Sequence, residues 1–171
     1  MPKGIIISGS AGVGKTTVGK KYKNVIDLDC SDYKWIYKDN DIKNMEKEKR
    51  KGIKNRIVNP KWPLNYIKSI LENALKYDIV LISQQKELRE LLDSKDIDYI
   101  VCFPNLDCKD EYISRYRKRG NNEAFVKIQE QNYDKWVSEL LDSPHEEIIL
   151  DKGQYLDNAL IDSSIYDLND Y

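Results

Sequence analysis

The chain has little of several things. It holds one histidine, His145, and three cysteines, Cys30, Cys102 and Cys108, with no C-x-x-C spacing. An odd set of unpaired thiols favours neither a zinc site nor a disulfide framework, and suits a reducing compartment. The histidine lies in a Ser143-Pro144-His145 stretch that reads as a connection, which makes it a poor candidate for a catalytic base. No apolar run approaches the length of a membrane span or of a secretory core segment, and Met1-Pro2-Lys3 leads straight into the first apolar run. A cytoplasmic protein without a membrane partner is expected. An excess of one charge is also missing, because 28 Lys and Arg face 29 Asp and Glu for a formal net charge of -1. Such balance does not suit a chain that coats nucleic acid, although a local basic surface would still allow that partner. No internal repeat or low-complexity linker divides the 171 residues, which is the size of a single domain.

What the chain does have is Gly9-Ser10-Ala11-Gly12-Val13-Gly14-Lys15-Thr16-Thr17, which fits G-x-x-x-x-G-K-[ST] at every fixed position. The run Gly4-Ile5-Ile6-Ile7-Ser8 before it is short, apolar on both faces and β-branched, as a buried parallel strand should be. Val18 to Tyr22 read as the first turns of a helix. Glycines let such a loop curl around phosphates with its N–H groups inward, over the positive end of the helix. Lys15 is then expected to reach the β- and γ-phosphates of ATP, and the Thr16 hydroxyl to bind Mg²⁺. The plainer reading, a turn that merely happens to match, is disfavoured by the strand and helix that flank it.

A second strand is expected over Asn24–Asp29, ending in carboxylates that point to one face. In a doubly wound sheet ligands lie beyond the carboxyl ends of the strands, so Asp27 is a candidate metal ligand and Asp29 a candidate acceptor ligand. Asp29 would otherwise only cap the Ser31-Asp32 turn. From about residue 31 to 63 the core periodicity weakens. This stretch carries Trp35, Tyr37, the charge run Glu46 to Lys51, Arg56 and the rigid Asn59-Pro60-Lys61-Trp62-Pro63. A charge run of this kind is commonly a solvated helix face. Its place between the second and third strands also suits an acceptor-binding insertion, with Arg56 as the phosphate ligand and Asp32 near the acceptor. Trp35, Tyr37 and Trp62 would stack on a base or serve as core and hinge aromatics.

Leu64 to Lys76 reads as a helix with one apolar stripe, and Tyr77 to Ser83 as a third strand whose end presents Gln84 and Gln85, amides able to read a base edge. A helix over Lys86 to Ser94 and a fourth strand over Ile97 to Phe103 follow, with Cys102 a small core residue. Asp107 to Arg119 forms a helix that Gly120 ends; Arg115 and Arg119, four apart, share a face. These cations would close a lid, about residues 107 to 123, over the phosphoryl group, or simply complement the helix dipole. A further helix from about Asn122 to Leu141 is expected to turn Phe125, Ile128, Trp136, Val137, Leu140 and Leu141 inward. Glu147 to Leu150 makes a fifth strand, Asp151-Lys152-Gly153-Gln154 lies at the ligand edge with Lys152 near the donor base, and a short helix over Tyr155 to Ile161 precedes a fraying acidic tail from Asp162.

This layout, a three-layer P-loop fold on a five-stranded parallel sheet with an acceptor insertion and an arginine-rich lid, resembles the nucleoside monophosphate kinase family. More narrowly it looks like the small nucleotide kinases of bacteriophages. The resemblance implies ATP and Mg²⁺, with a nucleoside monophosphate as the small-molecule partner. It also implies that Arg115 lies on the adenine and Arg119 touches the phosphates, as in the R-x-x-x-R of adenylate-kinase-like lids. Asp27 and Asp29 look like the D-x-D of shikimate-kinase-like enzymes, where one carboxylate serves magnesium and the other the acceptor. The chain departs from the family at Ser83-Gln84-Gln85, where a carboxylate normally ends the third strand, which leaves Asp27 as the substitute. A kinase of a hydroxyl acceptor, with Asp29 or Asp32 as base, and a non-catalytic nucleotide-binding module are the alternative expectations.

Overall fold

The computed structural model describes residues 4–163 and 168–169. Ile5–Gly9 forms β1, and the glycine-rich loop leads from it into α1, Lys15–Lys21. β2, Val25–Asp27, is followed by an insertion of α2 (Ser31–Lys34), β3 (Trp35–Tyr37), α3 (Asn40–Lys43), α4 (Lys47–Arg50) and β4 (Arg56–Val58). Then come α5 (Leu64–Ala74), β5 (Ile79–Ile82), α6 (Lys86–Ser94) and β6 (Ile100–Pro104). One 3-10 turn, Leu106–Cys108, opens onto α7 (Lys109–Lys118), α8 (Glu123–Leu141), β7 (Glu147–Leu150) and α9 (Leu156–Ser163).

The main sheet is wholly parallel in the order β2-β5-β1-β6-β7. β5 and β6 are buried along their whole length, which is why their sequences run apolar without alternation. Right-handed crossovers in this order put α5, α6 and α8 on one face and α1 on the other, where α9 joins it. The direction of winding therefore reverses beside β1, and the crevice this opens at the carboxyl ends of β1 and β6 holds the glycine-rich loop. The expected α/β architecture with five parallel strands is thus present.

Several local expectations need correction. Residues 31–63 are more ordered than the weak periodicity suggests: β3 and β4 pair antiparallel, with Ile36 opposite Ile57, but strands of three residues are too short to print a period. β2 stops at Asp27, two residues short of the expected end, and β6 starts at Ile100, after a turn in which Asp96 adopts φ 53°. The inward stripe of α8 is Val126, Tyr133, Val137 and Leu140, whereas Ile128 and Leu141 are exposed. The fraying expected from Asp162 lies partly outside the described residues; Asp162 and Ser163 are helical, and Asn169 accepts the Lys23 amide at 2.8 Å.

Tyr66, on α5, joins the insertion to the sheet. Its ring is fully buried, stacked on Trp62 with centroids 5.4 Å apart, and its hydroxyl donates to the Leu28 carbonyl and accepts the Ser83 amide at 3.1 Å. The ends of β2 and β5 are thereby tied through one oxygen. Tyr66→Phe should leave both backbone groups without that partner and lower stability by about 1–3 kcal/mol, read as a lower urea midpoint at unchanged slope.

Candidate functional site

One cavity of about 1200 Å³ gathers the glycine-rich loop, the ends of β2 and β5, the insertion and one side of α8. Gly12 and Gly14 adopt φ of 84° and 102°, and a Cβ at residue 12 would stand 2.9 Å from Cε1 of Tyr116. The loop is held from outside by its carbonyls. Tyr116 donates its hydroxyl to Ala11 O at 2.9 Å, Arg115 Nη1 donates to Gly12 O at 2.9 Å, and the Leu156 amide donates to Val13 O at 2.9 Å. Peptide planarity turns the amide that follows each carbonyl the opposite way, so the N–H groups of Gly12, Val13 and Gly14 are aimed away from these clamps, that of Val13 toward Ser10 O at 3.4 Å. Such a row of amides at the start of α1 attracts an anion.

Lys15 folds over this loop, where Nζ donates to Gly9 O at 2.7 Å and Ser10 O at 3.1 Å, leaving one of its three protons unspent. Burial holds its pKa below the ordinary lysine value; Asp27 opposes that shift, while Lys51 and Arg119 add to it. Thr16 Oγ1 donates to Asp27 Oδ2 at 2.9 Å, and Asp27 Oδ1 is buried without a hydrogen-bond partner. This hydroxyl and carboxylate are the oxygen donors a magnesium ion takes. Among the described residues no group of three or more His, Cys, Asp or Glu is placed to hold a metal, so the remaining ligands would come from water and a bound anion.

Asp29 both caps the turn and lines the cavity. Its Oδ1 accepts the Ser31 amide at 2.9 Å and the Ser31 hydroxyl at 2.7 Å, and Lys51 Nζ stands 3.9 Å from Oδ2. Burial pushes its carboxyl upward, but Lys51 and the two Ser31 hydrogen bonds outweigh it and leave the pKa below the usual value. Arg56 lines the cavity with its guanidinium carbon 3.6 Å from the Trp35 ring centroid. Gln85 donates to Cys30 Sγ at 2.9 Å and keeps a buried Oε1 without a partner. Arg119 lines the cavity too, with Nε donating to Asn121 Oδ1 at 2.6 Å.

Other expected residues stand elsewhere or do something else. Asp32 is not part of the cavity lining; it receives Lys47 at 2.9 Å and Arg50 at 3.4 Å and so braces α4. Gln84 is spent as a brace, its Nε2 donating to Ser8 O at 2.8 Å and Cys102 O at 3.1 Å while its Oε1 accepts the Ser10 hydroxyl. It cannot read a base while it ties β1, β6 and the loop together. Lys152 points to Asp107 at 3.9 Å on the exposed surface, away from the lining. Arg115 is no free lid arginine: with Gly12 O and Gln154 O as acceptors and the Tyr112 and Tyr155 rings 4.3 and 3.8 Å from its guanidinium carbon, it clamps the loop. Tyr37 is buried in the insertion, Trp62 stacks on Tyr66, and Cys102, whose thiol burial pushes up to about 12, is a core residue.

Sequence reasoning missed the contact between the insertion and the start of α8. Asn122 Oδ1 accepts the Phe125 amide at 2.9 Å as the cap of α8, while its Nδ2 donates to Lys49 O at 2.7 Å and to Lys51 O. Gly52, at φ 83°, lies so close that a Cβ there would be 2.8 Å from the Phe125 nitrogen. The cap residue before Glu123 and the lone glycine after the charge run were the available signals. No protein-family model, curated protein or solved structure matches the chain.

The depressed pKa of Lys15 has a measurable sign. An anion beside the ammonium raises that pKa, so between the two values the bound protein holds more protons than the free one. Tripolyphosphate binding should therefore take up protons increasingly as the pH rises toward the lysine range, measured by calorimetry in buffers of differing ionisation enthalpy. Uptake independent of pH would place the anion away from Lys15.

Proposed function

We propose that this chain is a P-loop nucleotide kinase that transfers the γ-phosphoryl group of ATP to a nucleoside monophosphate or deoxynucleoside monophosphate. What carries the reading is a single cavity shared by the loop with Lys15, by Arg119, and by the Lys51 and Arg56 cations of the insertion. A triphosphate tail fits the amide row at one end, and a second phosphate fits the cations at the other. In the reaction the bond from Pγ to the β,γ-bridging oxygen breaks as a phosphate oxygen of the acceptor bonds to Pγ, releasing ADP. Little covalent help is needed from the protein; positioning and charge neutralisation dominate.

The loop amides and the remaining proton of Lys15 hold the β- and γ-phosphates, and Arg119 and Lys51 offset charge between donor and acceptor. Thr16 and Asp27 are the residues that would hold Mg²⁺, which when bound would neutralise charge on the donor phosphates. The insertion, latched to α8 through Asn122, keeps water from the phosphoryl group and so limits idle hydrolysis. A monophosphate presents its attacking oxygen as an anion and needs no base. Asp29 supports this acceptor over a hydroxyl, since a carboxyl held below its usual pKa is a weak proton acceptor.

Labelled ATP offered with a panel of monophosphates, nucleosides and 5′-hydroxyl DNA tests the reading. Label should pass to monophosphates; transfer to none of the panel would leave a nucleotide-binding module. Arg119→Ala should cost on the order of 10³ in kcat with the fold intact by circular dichroism, as arginines at a transferring phosphoryl group do. A loss below about tenfold returns Arg119 to the helix-end role. Asp29→Asn should leave most of the turnover, whereas a hydroxyl acceptor would lose nearly all of it.

A further inference from the structure

The donor end of the cavity is finished by an aromatic ring. Tyr155, the residue before α9, lines the cavity and is 44% exposed, whereas Tyr112 and Tyr116 beside the same loop are buried. Its ring lies 3.8 Å from the Arg115 guanidinium carbon, and its Cδ1 would be 3.3 Å from a Cβ on Gly14. The ring is fixed from both sides along the chain, since the Tyr155 amide donates to Asn158 Oδ1 at 2.9 Å and the next amide, of Leu156, donates to Val13 O at 2.9 Å. Arg115 also lines the cavity but, with 9% of its side chain exposed, has its guanidinium between two rings and its two Nη atoms on carbonyls, so those donors are spent within the protein.

Several groups of the neighbouring segment that would read a base edge are engaged within the protein. Gly153 N donates to Glu111 Oε1 at 2.8 Å, Gln154 O accepts from Arg115, and Gln154 Oε1 accepts the Asp151 amide at 3.1 Å. Lys152 is turned to Asp107. Glu111 lines the cavity, its Oε1 taken by Gly153 N and Arg115 and its Oε2 without a hydrogen-bond partner.

We infer that Tyr155 is the platform for the donor base and that the donor site accepts purine and pyrimidine triphosphates alike. The inference rests on the proposed triphosphate site and names how its nucleotide is selected. Every base has a π-face, so recognition by stacking on a ring discriminates weakly, whereas paired polar edges discriminate strongly. The phosphates supply the anchor and the ring adds affinity without reading the sequence of donors and acceptors on the base.

Competition against a fluorescent triphosphate gives the dissociation constants of ATP, GTP, CTP, UTP and inorganic tripolyphosphate for the wild type, Tyr155→Ala and Tyr155→Trp. The four nucleotides should lie within about tenfold of one another. Tyr155→Ala should weaken all four by about ten- to a hundredfold, Tyr155→Trp should restore them, and tripolyphosphate should be unchanged in both variants. A preference above about a hundredfold for one base overturns the inference. So does unchanged or tightened nucleotide binding in Tyr155→Ala, because the base would then take the ring's place against Arg115. Loss of tripolyphosphate in Tyr155→Ala also overturns it, as the ring would then be needed for the loop itself. Failure of the wild type to bind tripolyphosphate removes the triphosphate reading, which is a separate result.

Discussion

The outward bonding of the loop carbonyls is the constraint on which the rest of the site depends. A peptide that gives its carbonyl to Tyr116, Arg115 or the Leu156 amide has its plane fixed, and the next N–H is fixed with it. Two separate elements supply those donors, α7 twice and α9 once. A loop of glycines would otherwise sample many conformations, and ordering it on binding would consume affinity. Here the ordering is done during folding, by groups buried in the domain.

The same economy of partners explains why the cationic residues differ so much in their roles. Arg115 and Arg119 are four residues apart at the end of α7 and both line the cavity, yet the first is held against the loop by two carbonyls and two rings, while the second donates to Asn121. Gln84 and Gln85 are adjacent, just past β5, yet take different partners: one Ser8 and Cys102 at the crevice between β1 and β6, the other Cys30. Gln84 occupies the end of β5 as a neutral brace. In the proposed reaction the carboxylate for magnesium then comes from the neighbouring strand through Asp27, whose Oδ1 is left unbonded.

Closure of the site depends on the insertion. Its helices are of four residues each and its strands of three, too short to be stable alone. Tyr66 anchors its base, the Lys47 and Arg50 contacts with Asp32 brace its middle, and Asn122 with Gly52 joins its tip to α8.

Local chemistry was legible in the sequence because it is written in adjacent residues. The glycine loop after β1, the continuous apolar runs of β5 and β6, the amphipathic α5 and the ordering of strands and helices all follow from spacing and composition over windows of a few residues. Which partners each polar side chain takes was decided only by tertiary structure. Asp32, Gln84, Lys152 and Arg115 are as polar as Asp29, Gln85 and Arg119, and nothing in their neighbours separates their roles. The separation comes from partners more than thirty residues away in several cases, such as Ser8 for Gln84 and Gly12 for Arg115. A hydrogen-bonding group satisfied within the protein is withdrawn from ligands, and only the folded chain says which groups those are.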